Sequence, residues 1–390
     1  MDELESRLEQ LLAERAEVPV AADGDPVALV ERRMRRRHRR VQLVAACAAA
    51  LAVVATGLGL GFATHFGAQR RGSVAPHPTP PPASSLSLNG ASSVAVDRDG
   101  SLLIAEASRI IRRSPDGHLQ LIAGTGVAGF GGDGASATLA QLNNPRDIAI
   151  GHDGTIYVAD TANNRVRAIS PDGTIRTLLG NGEQGDPVDG QPAVDTAVSS
   201  PQSVAVAPNG DVYVGESSDL VRVSSDGIVH VVIAARDPSS GTAIGPSFPP
   251  SLSPLAFDAS SLAFDSAGDL YIGVNSVKTL IRLSSAGTLT SVAAQIYVSP
   301  GGLSTAPDGS ILVADYGDFA IDRIVENHLS TMTAFISTPV SGIAHPLRPA
   351  AVAESPDGTL YMVDDGEATG SPSVYAISPG GAWGPLSVRK

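Results

Sequence analysis

"PRDIAIGHDGTIYVADTANNRVRAISPDGTIRTLL", from Pro145 to Leu179, decides the fold. Short apolar runs (IAI, IYVA, VRAI, IRTLL) are cut by three turn clusters, GHDG, DTANN and SPDG. Runs this brief, rich in Ile, Val and Tyr, suit pleated strands, and an Asp-Gly pair between two of them is a hairpin signal.

The frame recurs. An apolar residue is followed six positions later by glycine at Val94 and Gly100, Ile148 and Gly154, Val204 and Gly210, Leu262 and Gly268, Leu303 and Gly309, and Val352 and Gly358. Before each glycine stands Asp99, Asp153, Asn209, Ala267, Asp308 or Asp357. A second strand follows ("TIYVAD", "DVYVGE", "DLYIGV", "TLYMVD"), then a third ("RVRAISPDG", "LVRVSSDG", "LIRLSSAG"), and a fourth is available in "HLQLIAG", "TIRTLLG" and "IVHVVIA". The steps between turn glycines are 54, 56, 58, 41 and 49 residues, the size of a propeller blade with variable loops. One such sheet cannot bury both faces alone, so radial stacking of six copies predicts a six-bladed, all-β propeller over residues 89–390. Its outer closing strand is expected either from "SSLSL" near Ser84 or from "GAWGPLSV" near Trp383.

Extended backwards, the blade-two stretch "AGTGVAGFGGDGASATLAQLNNPRDIAIGHDGTIYVADTANNRVRAISPDGTIRTLLGNG" resembles the NHL-repeat family, with its Pro-led inner strand, DG turn, "YVAD" strand and "NNRVR" strand. The match is strong in blade two and good in blades one and three. It degrades in blades four to six, where "VNSVKTLIRL", "DYGDFAIDRI" and "DDGEATGSPSVYAI" depart from it. The resemblance implies a propeller used mostly for binding, as in the extracellular sensor parts of some bacterial membrane kinases, although no kinase motif is present.

Composition agrees with this body. The 390 residues include 41 Gly and 28 Pro, with 43% apolar residues but 4% aromatics, so the core must be Val, Ile, Leu and Ala. A single cysteine, Cys47, closes no intrachain disulfide and builds no cysteine zinc site. The net charge of −13 conceals a division: from Gly72 onward there are 16 basic and 31 acidic residues. So acidic a body repels phosphates, which excludes nucleic acid as a partner. The basic residues are almost all arginine, a hint of a high-GC bacterial genome.

The chain ahead of the repeats reads differently. From Val41 to Phe66 run 26 residues of mostly Ala, Val, Leu and Gly without a charge. As a helix of roughly 39 Å this would cross a bilayer core of about 30 Å, so a transmembrane helix and bilayer contact are predicted over 41–67. "RRMRRRHRR", with seven arginines from Arg32 to Arg40, precedes it. Positive-inside bias then places the N-terminus in the cytoplasm and the propeller outside the membrane. A cleaved signal peptide is the rival, but the lead and the apolar run are both long for one, and "FATHFGAQRR" has no clean cleavage site. In the cytoplasmic segment 1–40, Leu4, Leu8, Leu11 and Leu12 share one helical face. A short amphipathic helix over 2–18 could meet a cytoplasmic partner or its own copy, or stand solvated. Residues 68–88, Pro- and Ser-rich, read as an extended stalk.

Six positions past the turn glycines stand Glu106, Asp160, Glu216, Val274, Asp315 and Asp364. Five carboxylates in one column read as structural, their oxygens accepting N–H groups of the turn that follows, because a catalytic site needs an asymmetric constellation. Asymmetry belongs where the inner strands begin. Two places before the aligned apolar residue come Ser92, Arg146, Gln202, Ser260, Gly301 and Ala350. One place before come Ser93, Asp147, Ser203, Ser261, Gly302 and Ala351. Arg146, Asp147 and Gln202 are the polar, non-small members, and hence the ligand-binding candidates at the channel mouth, against a bland reading in which Arg146 and Asp147 pair with each other.

Enzyme chemistry is the alternative. Six-bladed metal lactonases need several convergent carboxylates, and these columns offer Asp147 alone. Propeller lyases of the peptide-amidation type rely on converging histidines, whereas His118, His152, His230, His328 and His345 share no column. No catalytic residue, metal set or cofactor is therefore assigned. Two long loops, from Asn181 and from Asp237, are candidates for recognition of an extracytoplasmic protein or envelope ligand. The first carries Glu183, Asp186, Asp189 and Asp195, as a solvated acidic loop or a weak calcium site.

Overall fold

A computed structural model of the chain describes residues 90–234, 257–292, 300–326, 328–334, 347–366 and 373–386. The predicted cytoplasmic segment, transmembrane helix and stalk, and the loop from Asp237, lie outside these residues. Among the described residues no helix is long and apolar enough to cross a membrane.

Six four-stranded antiparallel sheets follow one another, each a simple meander. Blade one consists of Ala91–Val96, Leu102–Glu106, Arg109–Arg113 and Leu119–Ala123. Blade two consists of Pro145–Ile150, Ile156–Asp160, Arg165–Ile169 and Ile175–Leu179. The last blade draws its outer strand from Trp383–Pro385, paired on Ser373–Ile377. Thus "GAWGPLSV" supplies that strand; residues 84–88 are outside the described set.

The first hairpin of every blade is made the same way. In blade one the Gly100 N–H donates to the carbonyl of Asp97, and the equivalent bond recurs at Gly154, Gly210, Gly268, Gly309 and Gly358. These glycines have φ between +80° and +90°, while the residues before them do not have positive φ. The turn is therefore a type I turn closed by a left-handed glycine, not a two-residue turn with both positions left-handed. The preceding side chain completes it. Asp99, Asp153, Asn209, Asp308 and Asp357 each accept the N–H two residues on, at 2.8–3.1 Å. Blade four has Ala267 at that place, and there Asp265 Oδ1 accepts both the Ala267 and the Asp269 N–H at 2.9 Å.

The core is a set of seams between blades. Leu103, Ile110 and Ala123 of blade one pack with Ile148, Val158 and Ile175 of blade two. Val158's neighbours Ala159 and Val166 face Val204, Val214 and Val221 of blade three. The ring closes where Val94, Leu102 and Ile104 meet Ala353, Val363 and Val374 of the last blade. Each buried Leu or Ile contributes on the order of 2 kcal/mol, but the core is not the purely aliphatic one expected from composition: Phe257, Phe264, Tyr271, Tyr361 and Tyr375 are buried in its seams.

The linkers from blade one to two and from two to three form one repeated element. Fifty-six residues apart, Gly124 and Gly180 donate to Ala137 and Ala193, and Thr125 and Asn181 to Ala140 and Thr196; Ala137 and Ala193 in turn donate to Gly173 and Gly227, which are 54 apart. The loop from Asn181 is thus laced to the outer edge of blade three, the blade it leads into, through Gly227 and Val229, rather than projecting freely.

Candidate functional site: the channel mouth

Inner strands run from the mouth down the axis. In four of them the ladder shifts register at the start, between Ala91 and Ser93, Pro145 and Asp147, Pro300 and Gly302, and Pro349 and Ala351. The extra residue is Ser92, Arg146, Gly301 or Ala350, and a bulge of this kind re-aims its side chain out of the pleat. Gln202 and Ser260 take the same place in blades three and four, their N–H groups donating to Gly215 and Gly273. All six line a single cavity of about 470 Å³, completed by Asn275 and Tyr316.

Within this cavity Arg146 is exposed, and among the described residues its guanidinium makes one contact, Nη1 to Gln202 Oε1 at 3.4 Å. Gln202 Nε2 donates to Ser217 Oγ at 3.2 Å. The Ser92 hydroxyl donates to the carbonyl of Pro145, and Ser260 Oγ donates to that of Gly273 at 2.9 Å. Both serines therefore turn lone pairs, not protons, toward the cavity. Tyr316 Oη accepts from Arg348 Nη1 at 2.7 Å, and that guanidinium lies 5.2 Å from the Tyr316 ring centre.

Asp147 does not pair with Arg146. The bulge sends the two apart, and Asp147 enters the neck below the mouth, a space of about 40 Å³. There Oδ1 accepts from Ser93 Oγ at 2.8 Å and from its neighbour Ile148 N at 2.9 Å, and Oδ2 accepts from Val204 N at 2.9 Å. One carboxylate so joins three blades. Burial pushes its pKa up to about 6 against these hydrogen bonds. Below it Val94, Ile148, Val204, Leu262 and Leu303 line the lower channel.

The repeated carboxylates lie away from the mouth cavity, buried to within 2% of full enclosure. Asp315 accepts from the turn that follows it, through Gly317 and Asp318 N–H. Asp160, Glu216 and Asp364 instead hold the segment entering their blade, through the N–H of Asn143, Ser199 and Arg348 at 2.7–2.8 Å. Glu106 pairs with Arg109 at 2.8 Å. In blade four, where the column has Val274, the polarity reverses: Asp258 on the entering segment accepts from Asn275 and Ser276 N–H.

The blade-two carboxylate has company. Fully buried Arg167 reaches Asp160 Oδ2 at 3.4 Å and also binds Asp133, while Phe130 stacks 3.8 Å from the neighbouring Arg165 guanidinium. Burial still raises the Asp160 pKa, offset by Asn163, the Asn143 N–H and Arg167. Of the loop acids from Asn181, Asp189 accepts the Val231 N–H at 2.9 Å. Among the described residues no three His, Cys, Asp or Glu side chains are placed to hold a metal. His118, His152 and His230 sit on separate blades beside Asp116, Arg98 and Ser224.

Asn275 and Tyr316 were not among the sequence candidates. Both stand one place beyond the repeated-carboxylate column, and that column, aligned like the others, would have found them.

A family model described as the Teneurin NHL domain matches residues 127–186. Teneurin-1 of Mus musculus is 35% identical over 98 residues, covering 21% of this chain and 4% of that protein. Teneurin-4 of Homo sapiens is 26% identical over 252 residues, covering 54% of this chain and 9% of that protein. The chain thus spans less than a tenth of the length of these relatives. Among solved structures, a catalytically inactive virginiamycin B lyase from Staphylococcus aureus superposes with a TM-score of 0.48 at 18% identity, over 77% of this chain and 85% of that chain.

Proposed function

The body of this chain is an NHL-repeat β-propeller, and on that premise we propose that it is a recognition module whose ligand seats at the channel mouth, carried outside the cell membrane on the 41–67 helix and the 68–88 stalk. One observation carries the reading. Six blades of one backbone present Ser92, Arg146, Gln202 and Ser260 on one side of the 470 Å³ cavity and Gly301 and Ala350 on the other. A cavity of this size with a few convergent polar groups is the usual form of a binding site. Rigid inner strands hold those groups before the ligand arrives, so little ordering cost falls on binding.

The test uses cysteines introduced in the full chain, Gln202→Cys at the mouth and His118→Cys at the opposite end of blade one, with a membrane-impermeant maleimide photocrosslinker on intact cells. Both positions should label from outside, and adducts should form from position 202 and not from 118. Failure of both to label would refute the topology, and equal or absent adducts would refute the mouth.

A further inference from the structure

The lining of the mouth constrains what it can hold. Among the described residues that line it, Arg146 is the one that carries a charge, with the Asp147 carboxyl in the neck below and Arg348 against Tyr316, in a chain whose net charge is −13. A guanidinium offers five donors in a planar fork, and among the described residues Arg146 uses one of them, on a 3.4 Å contact. Ser92 and Ser260 have committed their hydrogens to carbonyls, so each needs a donor from the ligand. Gln202 and Asn275 add amides, which accept and donate. The one aromatic side chain among the described lining residues, Tyr316, has the Arg348 guanidinium beside its ring and on its hydroxyl, which fixes the ring in place. The cavity narrows at its floor to a neck of about 40 Å³, a shape that suits the end of a chain.

Resting on the mouth reading above, we propose that the ligand is the free C-terminal end of a peptide chain, its carboxylate on Arg146 and its last backbone N–H groups on the oxygens of Ser92 and Ser260. The carboxylate supplies the acceptor that the fork lacks, and the preceding amides supply the donors that the serines lack. The small Gly301 and Ala350 leave the opposite wall open to a side chain. A bidentate charge-assisted pair of this kind accounts for an affinity loss of about tenfold or more when one partner is removed.

The experiment is binding of the full chain, purified in detergent, to an array of N-terminally tethered tetrapeptides ending in every pair of residues, each made both as the free acid and as the C-terminal amide. Free acids should be retained at least about tenfold more strongly than their amides, and Arg146→Gln should abolish the difference while leaving the melting temperature unchanged, because Arg146 is exposed. Galacturonate and acetate serve as competitors at equal concentration. Retention of amides and acids alike, or of neither, overturns the inference. Displacement or direct binding by galacturonate, dependent on Arg146 and without peptide retention, also overturns it but leaves the mouth as the binding site. Loss of the mouth itself would show separately, in the absence of adducts from position 202.

Discussion

Replacing Glu216 by glutamine should stabilise the propeller at alkaline pH and leave it nearly unchanged in mild acid. Asp160 and Glu216 occupy one place, 56 residues apart. At the places of Arg167, Phe130 and Asn163, blade three has Val223, Asp186 and Asp219, so the cation is gone and two acids have arrived. Glu216 Oε2 accepts the Ser199 N–H at 2.7 Å, and Oε1 has no hydrogen-bond partner among the described residues. Burial, with Asp219 and Asp186 adding to it, pushes the carboxyl from 4.5 up to about 8. Below about 4.5 both folded and unfolded chains hold this proton, and stability is not affected. As pH rises, the unfolded chain ionises first and the folded state is progressively penalised, until the folded carboxyl itself ionises near 8. At about 1.4 kcal/mol per pKa unit the penalty is bounded at about 5 kcal/mol, and half of that is a reasonable expectation for a site that can relax. Glutamine copies the protonated acid in shape, keeps an acceptor for Ser199 and does not titrate. Urea unfolding of the full chain should give Glu216→Gln an advantage under about 1 kcal/mol at pH 5 and of about 2 kcal/mol or more at pH 8.5. An equal difference at both pH values, or a loss at pH 8.5, would refute the reasoning.

Two further outcomes follow from packing. At Gly215 an added Cβ would lie 2.1 Å from the carbonyl of Ala259 in the next blade and 2.3 Å from Ser203 Oγ, which donates to that same carbonyl. Gly215→Ala should therefore cost about 1–3 kcal/mol, read as a lowered urea midpoint, and a neutral result would mean that blades three and four are less closely seated. Arg167→Met should cost about 3–5 kcal/mol by stranding Asp160, and adding Asp160→Asn should recover part of it. If the double variant is no more stable than the single, the ion pair is not the reason for the loss.

The blades were legible because their turns are chemically stringent. A left-handed residue closing a type I turn selects glycine in all six blades, and in five of them the side chain before it reaches an N–H two residues on, so the copies stayed in register even where the rest of the repeat drifted. The mouth was legible for a related reason: a column that starts every inner strand must face the axis. What the sequence concealed lies across blades. Asp147 spends its oxygens on Ser93 and Val204, 54 and 57 residues away, and no local pattern distinguishes that from an ion pair with Arg146. The carboxylate column was read as capping the turn ahead, whereas in three blades the entering segment doubles back within reach of it. The spacing from acid to target N–H runs backwards by 16 or 17 residues there, beyond any turn rule. The loop from Asn181 looked like a free recognition element because its acids are conspicuous, while the glycines that lace it to the blade are shared silently with the loop from Gly124.

Departures from the repeat are where function must be sought, and they are not all of one kind. Gly301 departs from the polar residues of blades one to four, but a Cβ there would sit 2.9 Å from the carbonyl of Pro349 and 3.0 Å from that of Ala350. Close approach of blades five and six imposes it. Arg167 departs from Val223, and it is fully buried with Asp160 and Asp133 to satisfy it. Packing accounts for that one too. Arg146 has no such account: it is exposed, and its one contact among the described residues is long. A rigid bulge holds a guanidinium over the axis with most of its donors unspent, and the propeller would fold as well with serine or alanine there, as it does in blades one and six. The residue whose cost the fold does not explain is the one that a ligand must.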